Sequence, residues 1–336
     1  MDLRLLDQLL ASSGEPRFRA GQIWAWAAKG VQGYEQMTNL PSALRETLKR
    51  ELPFSSLSLS EEARSSDGTV KALFQTVDSR PLEAVLMRYQ DRRRSICVSS
   101  QSGCPLTCTF CATGQMKFAR NLTASEILDQ ALHFRRIEAI DHCVFMGMGE
   151  PLLNLDNVLA ACERLPEVGI THRRTAISTV GWIPGIEQLA EQPMPLRLAL
   201  SLHAADEALR SELMPINDRY PLKDVLEACR AFYERKHRRV FVEYVMLAGV
   251  NDRYQQALAL ARALSSPSSS PPAQPSIFKV NLIPYNPTDS PYEGSSRESI
   301  AAFRSALESR NIPVTVRLTR GRDIDAACGQ LAARTG

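Results

Sequence analysis

From Ser95 onward the chain alternates short β-rich runs with stretches of helical spacing. The runs SICVS, HCVFM, RTAIS, LRLALS, RVFVEYVML, FKVNLI and VTVRL are rich in β-branched and aromatic residues, and longer segments with apolar residues three and four apart separate them. The segment after Asn121 begins with Thr123 and Glu126, the spacing of a capping box, and then sets Ile127, Leu128, Ala131 and Leu132 on one face. Strands alternating with helices predict an α/β fold with a mostly parallel sheet. Periodicity alone leaves open whether that sheet forms a closed barrel, a partial barrel or an open doubly wound sheet.

Upstream the pattern differs. FRAGQIWAWAAKG and PSALRETLKREL read as helices, and TVKALFQTV and LEAVLMRY as a small hairpin, so a separate accessory unit is expected. The expected division is a helical accessory unit over 1–55, a hairpin extension and linker over 56–90, and the main α/β unit over 91–336. The run SSPSSSPPAQPS, Ser265 to Ser276, predicts a flexible surface loop.

Composition narrows the class. A chain of 336 residues, 44% hydrophobic, can bury a full core. Its opening carries an early Asp and too short an apolar run for a signal peptide, and no apolar stretch of about 18 residues follows, so a cytoplasmic protein without membrane attachment is expected. The net charge is only +3, yet basic residues bunch at Arg92–Arg94, Arg173–Arg174, Glu234–Arg239 and Arg317–Arg322. Such bunches suit a polyanion or are solvated faces; a shared place near strand ends would favour the former.

Eight cysteines in a chain this long do not make a secreted disulfide scaffold. Cys143, Cys162 and Cys229 lie in apolar surroundings and are expected in the core. Three others, Cys104, Cys108 and Cys111, crowd into CPLTCTFCATG. Structural zinc normally takes four Cys or His ligands, often as two distant pairs, and no second pair exists here. A [4Fe–4S] cluster held by three thiolates leaves one iron open to an external chelating ligand. The C-x3-C-x2-C spacing, with Phe110 before its last cysteine, resembles the signature of the radical SAM superfamily, whose open iron binds the amino and carboxylate groups of S-adenosylmethionine.

Other fragments fall at the carboxyl ends of expected strands, where parallel α/β folds place ligand sites. MGMGEPLLN brings Gly149 and Glu150, STVG brings Ser178, SLHA brings Ser201, Leu202 and His203, and IPYNP brings Asn286. Together with SSQSGCPLTCTFCATG, TRGRDIDAACGQL and the N-terminal RFRAGQIWAWAAKG and QMTNLPSALRETL, they resemble the RlmN/Cfr family of radical SAM RNA methyltransferases over nearly the whole chain. The resemblance implies a partial (β/α)6 radical SAM barrel with a small N-terminal helical domain. It implies that Cys104, Cys108 and Cys111 hold the cluster, and that Gly149, Glu150, Ser178, Ser201, Leu202, His203 and Asn286 bind S-adenosylmethionine.

The implied reaction methylates carbon 2 of adenosine in 23S rRNA and in tRNA, with two S-adenosylmethionine molecules per turnover. That carbon lies between two ring nitrogens and is too electron-poor to attack a sulfonium methyl, so a radical route is needed. By the resemblance, Cys328 carries the methyl group, Glu83 takes the ring proton and Cys97 resolves the enzyme–RNA bond through a transient disulfide. One extra residue separates Glu83 from Cys97 relative to the family pattern. Cys328 follows the basic TRGR segment, a setting expected to favour thiolate. The expected partners are 23S rRNA, tRNA and an electron donor such as a flavodoxin or ferredoxin, with the protein acting as a monomer. Two other readings remain open at this point: methylation at carbon 8, and a non-catalytic metal-containing RNA-binding protein.

Overall fold

The computed structural model describes residues 1–265 and 276–333. The loop expected over Ser265–Ser276 falls almost wholly outside the described residues. The chain opens with three helices, α1 (Leu3–Ser12), α2 (Phe18–Lys29) and α3 (Ser42–Glu51). Asp2 caps the first, its carboxylate accepting the Arg4 and Leu5 N–H groups, and Gly30 in the left-handed region ends the second. Strands β1 (Leu57–Arg64), β2 (Val70–Thr76), β3 (Pro81–Arg88) and β4 (Arg94–Cys97) follow, then the two-residue strands β5 (Gln101–Ser102) and β6 (Arg120–Asn121).

From there the alternation is regular: α4 (Ala124–Ile137), β7 (His142–Phe145), α5 (Leu155–Val168), β8 (Thr175–Thr179), α6 (Ile183–Glu191) and β9 (Arg197–Ser201). Next come α7 (Glu207–Leu213), α8 (Leu222–Lys236), β10 (Val240–Met246), α9 (Tyr254–Leu264), β11 (Phe278–Pro284), α10 (Arg297–Glu308) and β12 (Val314–Val316). Every strand expected beyond Ser95 is present. The capping box forms as its spacing demands, Thr123 and Glu126 each satisfying the other's backbone N–H, a device that stabilises a helix start by about 1 kcal/mol.

Ten strands form one sheet in the order β1-β2-β3-β4-β7-β8-β9-β10-β11-β12. From β4 to β11 six parallel strands alternate with helical crossovers, and β12 adds a parallel edge. β1 and β12 end the sheet unpaired with each other, so the barrel is partial and not closed. The expected hairpin does not stand apart: β3 pairs antiparallel with β4, so β1–β3 extend the barrel sheet. Strand β1 itself escapes pattern reading because only Leu57 is fully buried and a register shift interrupts it between Leu59 and Glu61.

Strand alternation sorts the side chains. Ile96, Cys143, Phe145, Ile177, Leu198, Leu200, Val242, Tyr244, Val280 and Leu282 are essentially fully buried in the main apolar core. Their neighbours one residue away, among them Cys97, Val144, Ser178, Ser201 and Glu243, line the lumen. Cys143, Cys162 and Cys229 are core residues, as expected. The N-terminal helices share this core: α2 packs against α4 and α5, and Arg164 of α5 covers the Trp24 ring.

Candidate active site

Two cavities divide the lumen. The upper one, about 160 Å3, opens among the carboxyl ends of the strands; the lower one, about 560 Å3, runs toward their amino ends. Cys104, Cys108 and Cys111 all line the upper cavity. They sit on the loop that β5 and β6 pinch together by pairing Gln101 with Asn121 and Ser102 with Arg120. Gly103, at the loop's start, adopts φ +74°, and a Cβ there would lie 2.4 Å from the Lys117 carbonyl oxygen. Farther along, the Thr109 N–H donates to the Leu213 carbonyl at 3.0 Å, and the Thr109 hydroxyl meets the Tyr292 hydroxyl at 2.8 Å.

The donor chemistry fits an iron–sulfur cluster. All eight cysteines are free. Burial pushes the Cys104 thiol up to about 12 and raises Cys108 and Cys111; like charge adds to this, Cys111 raising Cys104, and Cys111 and Cys104 raising Cys108. Thiolates so crowded need a cationic centre between them, and sulfur selects iron or another soft metal. Among the described residues no three His, Cys, Asp or Glu side chains already converge on a single ion; the cysteines face one cavity instead. Cys104, Cys108 and Cys111 are the residues that would hold the cluster.

The strand-end residues surround the same space. Gly149, Glu150, Ser178, Ser201 and His203 all lie on the upper wall. Gly149 is required there: its φ is +92°, and a Cβ would come within 2.4 Å of the Gln101 Cβ. The buried Glu150 accepts the Val180 N–H at 3.0 Å and the Leu152 N–H at 3.1 Å, and burial pushes its carboxyl up to about 7. His203, itself at φ +57°, accepts the Val245 N–H at Nδ1 (3.0 Å) and packs edge-on against Phe110 at 4.8 Å. Burial, then the charge of Arg210, pushes it down to about 3, so the ring is neutral and carries its proton on Nε2. The Ser178 and Ser201 hydroxyls touch at 3.2 Å.

Two expected cofactor ligands are placed otherwise. Leu202 is wholly buried and off the cavity wall; its backbone N–H donates to Glu243 and its carbonyl accepts Arg210 Nε. Asn286 lines the lower cavity, where its Nδ2 donates to the Cys328 carbonyl at 3.2 Å. Cys328 lies on the walls of both cavities and is exposed, whereas Cys97, on the lower wall, is buried and its thiol pushed up to about 12.

The segment bearing Cys328 is held on several sides. The Ala112 N–H donates to the Gly329 carbonyl at 2.9 Å, the Thr113 hydroxyl donates to the Leu331 carbonyl at 2.6 Å, and Gln330 Nε2 reaches the Pro287 carbonyl at 2.9 Å. The turn between β1 and β2 holds it as well, Asp67 accepting the Gly321 N–H and the Ser65 hydroxyl donating to Asp323. Glu83 faces neither cavity. It is buried, paired with Lys71 at 3.0 Å, and its Oε2 accepts the Ala332 and Ala333 N–H groups at 2.9 and 3.0 Å.

Several positioning residues left no mark in the sequence. Arg210, 0% exposed, donates to the Leu202 and Val180 carbonyls and to Asn217 Oδ1, tying together the loops after β8 and β9. Asn251 does the same for the His203 and Val245 carbonyls. Arg317, which the sequence marks only as part of a basic bunch, lines both cavities and pairs with Glu243 at 3.5 Å. The apolar spacing of α7 identifies Arg210 only as a helix residue, since its acceptors come from distant loops.

The chain matches two family models: the radical SAM superfamily over residues 98–261, and the N-terminal domain of the ribosomal RNA large subunit methyltransferase over residues 1–52. A Thermus thermophilus protein described as a probable dual-specificity RNA methyltransferase RlmN is 43% identical, with 99% of this chain and 93% of that protein covered. An Anaeromyxobacter dual-specificity RNA methyltransferase RlmN is also 43% identical, covering 100% of this chain and 90% of its own length. The crystal structure of a radical SAM methyltransferase from Sphaerobacter thermophilus superposes with a TM-score of 0.91 at 42% identity, covering 99% of this chain and 98% of that one. Relatives matched almost end to end at such identity place their own fold and cofactors on this sequence, and the chain belongs to the RlmN family of radical SAM enzymes, which work with a [4Fe–4S] cluster and S-adenosylmethionine.

Proposed function

We propose that this protein methylates carbon 2 of adenosine in 23S rRNA and in tRNA, with Cys328 as the methyl carrier. The observation that carries the reading is the placement of Cys328 on the walls of both cavities, the upper one lined also by Cys104, Cys108 and Cys111 and the lower one by Cys97. When bound, the cluster supplies the electron that cleaves S-adenosylmethionine reductively. Glu150 offers a carboxylate to the ammonium group of S-adenosylmethionine, while Ser178, Ser201 and the Nε2–H of His203 offer polar contacts on the same wall.

The Cys328 sulfur first takes a methyl group from one S-adenosylmethionine. That methyl group gives a hydrogen atom to the 5′-deoxyadenosyl fragment of a second S-adenosylmethionine, which becomes 5′-deoxyadenosine. The carbon radical left behind forms a bond to adenine carbon 2, and the adduct returns the electron spent in the cleavage as its ring proton leaves. The Cys97 thiolate then attacks the Cys328 sulfur: an S–S bond forms, the S–C bond breaks with its electron pair going to carbon, that carbon takes up a proton, and the methylated base leaves. Glu83 is the expected acceptor of the ring proton. In this conformation its Oε2 holds the Ala332 and Ala333 N–H groups, so that role requires the tail to lift away. An electron donor such as a flavodoxin or ferredoxin completes the cycle.

RNA from cells with and without the gene, digested to nucleosides and resolved by mass spectrometry, tests the reading. Gene-dependent 2-methyladenosine is expected. Gene-dependent 8-methyladenosine alone would overturn it.

A further inference from the structure

Resting on the RNA methyltransferase reading, we infer that the target RNA strand enters the barrel from the amino ends of its strands, its phosphates gripped by Arg173, Arg197 and Arg238. The lower cavity begins there. Arg173 and Arg174 precede β8, Arg197 opens β9, and Lys279 is the second residue of β11; all four line this cavity, whose far wall carries Cys97 and Cys328. The cavity is therefore a passage from a basic rim to the two reacting sulfurs.

The rim is a built site. The Arg173 carbonyl accepts both Arg197 Nε at 2.9 Å and Arg238 Nη2 at 3.1 Å, which fixes two guanidinium groups side by side. Arg197 also lies over the Phe241 ring at 5.5 Å. Arg238 Nη1 is buried without a hydrogen-bond partner. Among the described residues none of Arg173, Arg197, Arg238 and Lys279 has a carboxylate within 4 Å; at the same rim Asp141 is shared by Arg174 at 3.6 Å and His142 at 2.8 Å. Burial and mutual repulsion lower the proton affinity of Arg197 and Arg238.

Like charges held together without counterions destabilise a fold unless an anion joins them. A phosphate on a guanidinium pair supplies that anion bidentately. The passage behind it suits a nucleotide extruded from its stack, since a base buried in folded RNA must be flipped out before its ring carbon can be reached. The rim gives grip without sequence readout, leaving the base to be read in the cavity.

The test compares the parent enzyme with the R197Q/R238Q variant for binding of tRNA from cells lacking the gene, across a salt series. The variant should bind about tenfold more weakly at low salt, and its log–log salt slope should shrink by about 1 to 2, because each arginine replaced gives up its hold on about one phosphate. Thermal unfolding checks its fold, and R173Q, at an exposed position, repeats the measurement if the double variant melts early. Parent-like affinity and slope in a folded variant would overturn the entry route alone. A parent enzyme that bound no tRNA and no 23S rRNA would overturn the methyltransferase reading with it. Equal competition by inorganic phosphate at the same phosphate concentration would mean a simple anion site and would also overturn the route.

Discussion

The two ends of the lumen are built from the same strands yet present opposite chemistry. At the carboxyl ends the side chains are soft or neutral: three thiols, two serine hydroxyls, a neutral imidazole and a carboxyl held back from ionising. At the amino ends they are guanidinium and ammonium groups whose acidic partners among the described residues are Asp141 beside Arg174 and Asp91 beside Arg93, while Arg173, Arg197 and Lys279 have none. Between them, Cys97, Glu243 and Arg317 form a middle layer. Moving two or four residues along a strand keeps the side chain inside but carries it from one chemistry to the other. An electron-transfer site and a polyanion rim can thus share a lumen while their charges stay about a strand length apart.

Substitution at each end should therefore fail differently. The largest effect is expected at the top: C104A, C108A or C111A should abolish S-adenosylmethionine cleavage and lower bound iron, whereas C328A should keep its iron and lose only methyl transfer. Iron content and 5′-deoxyadenosine formation measure both; loss of iron in C328A would make that residue a cluster ligand. Next comes the middle layer. C97A should stall as a covalent protein–RNA adduct visible on a denaturing gel, C328A should form none, and the double variant should behave as C328A, because residues acting in sequence on one intermediate are non-additive. Normal turnover by C97A would exclude a resolving role.

A smaller loss is expected from R210M, which leaves the Leu202 and Val180 carbonyls without their buried donor. Urea unfolding should show destabilisation by about 3 kcal/mol, with cofactor affinity falling alongside it, because both loops border the upper cavity. The smallest effect concerns Glu150 in the metal-free protein. Its folded pKa, pushed up to about 7, exceeds that of the unfolded chain, so between about 4.5 and 7 the unfolded state binds fewer protons. Stability should fall as pH rises through that window, and E150Q should flatten the fall in thermal melts.

Much of the upper site was legible because its parts are local. Three cysteines on one loop, a glycine–glutamate pair after one strand and a serine after the next each announce themselves within a few residues, and strand alternation places them at one end. Asn286 shows where such reading stops. Its position after β11 is right for a ligand, yet its side chain turns to the Cys328 carbonyl, a partner on a segment no local pattern links to it. Glu83 is a second case: the motif gives its type, while the fold pairs it with Lys71 and the tail.

The sequence by itself determined the parallel α/β alternation, the capped helix α4, the cysteine loop and the clustering of candidate residues at strand ends, since periodicity and short-range spacing express local sterics and hydrogen bonding. The tertiary structure alone decided that β1–β3 join the barrel sheet, that Cys97 and Cys328 border one cavity, and that Arg173, Arg197 and Arg238 form one rim. Those outcomes depend on which strand lies beside which and on how far the sheet curls. Both are set by the summed burial of side chains far apart in the chain, and no local window of residues carries that sum.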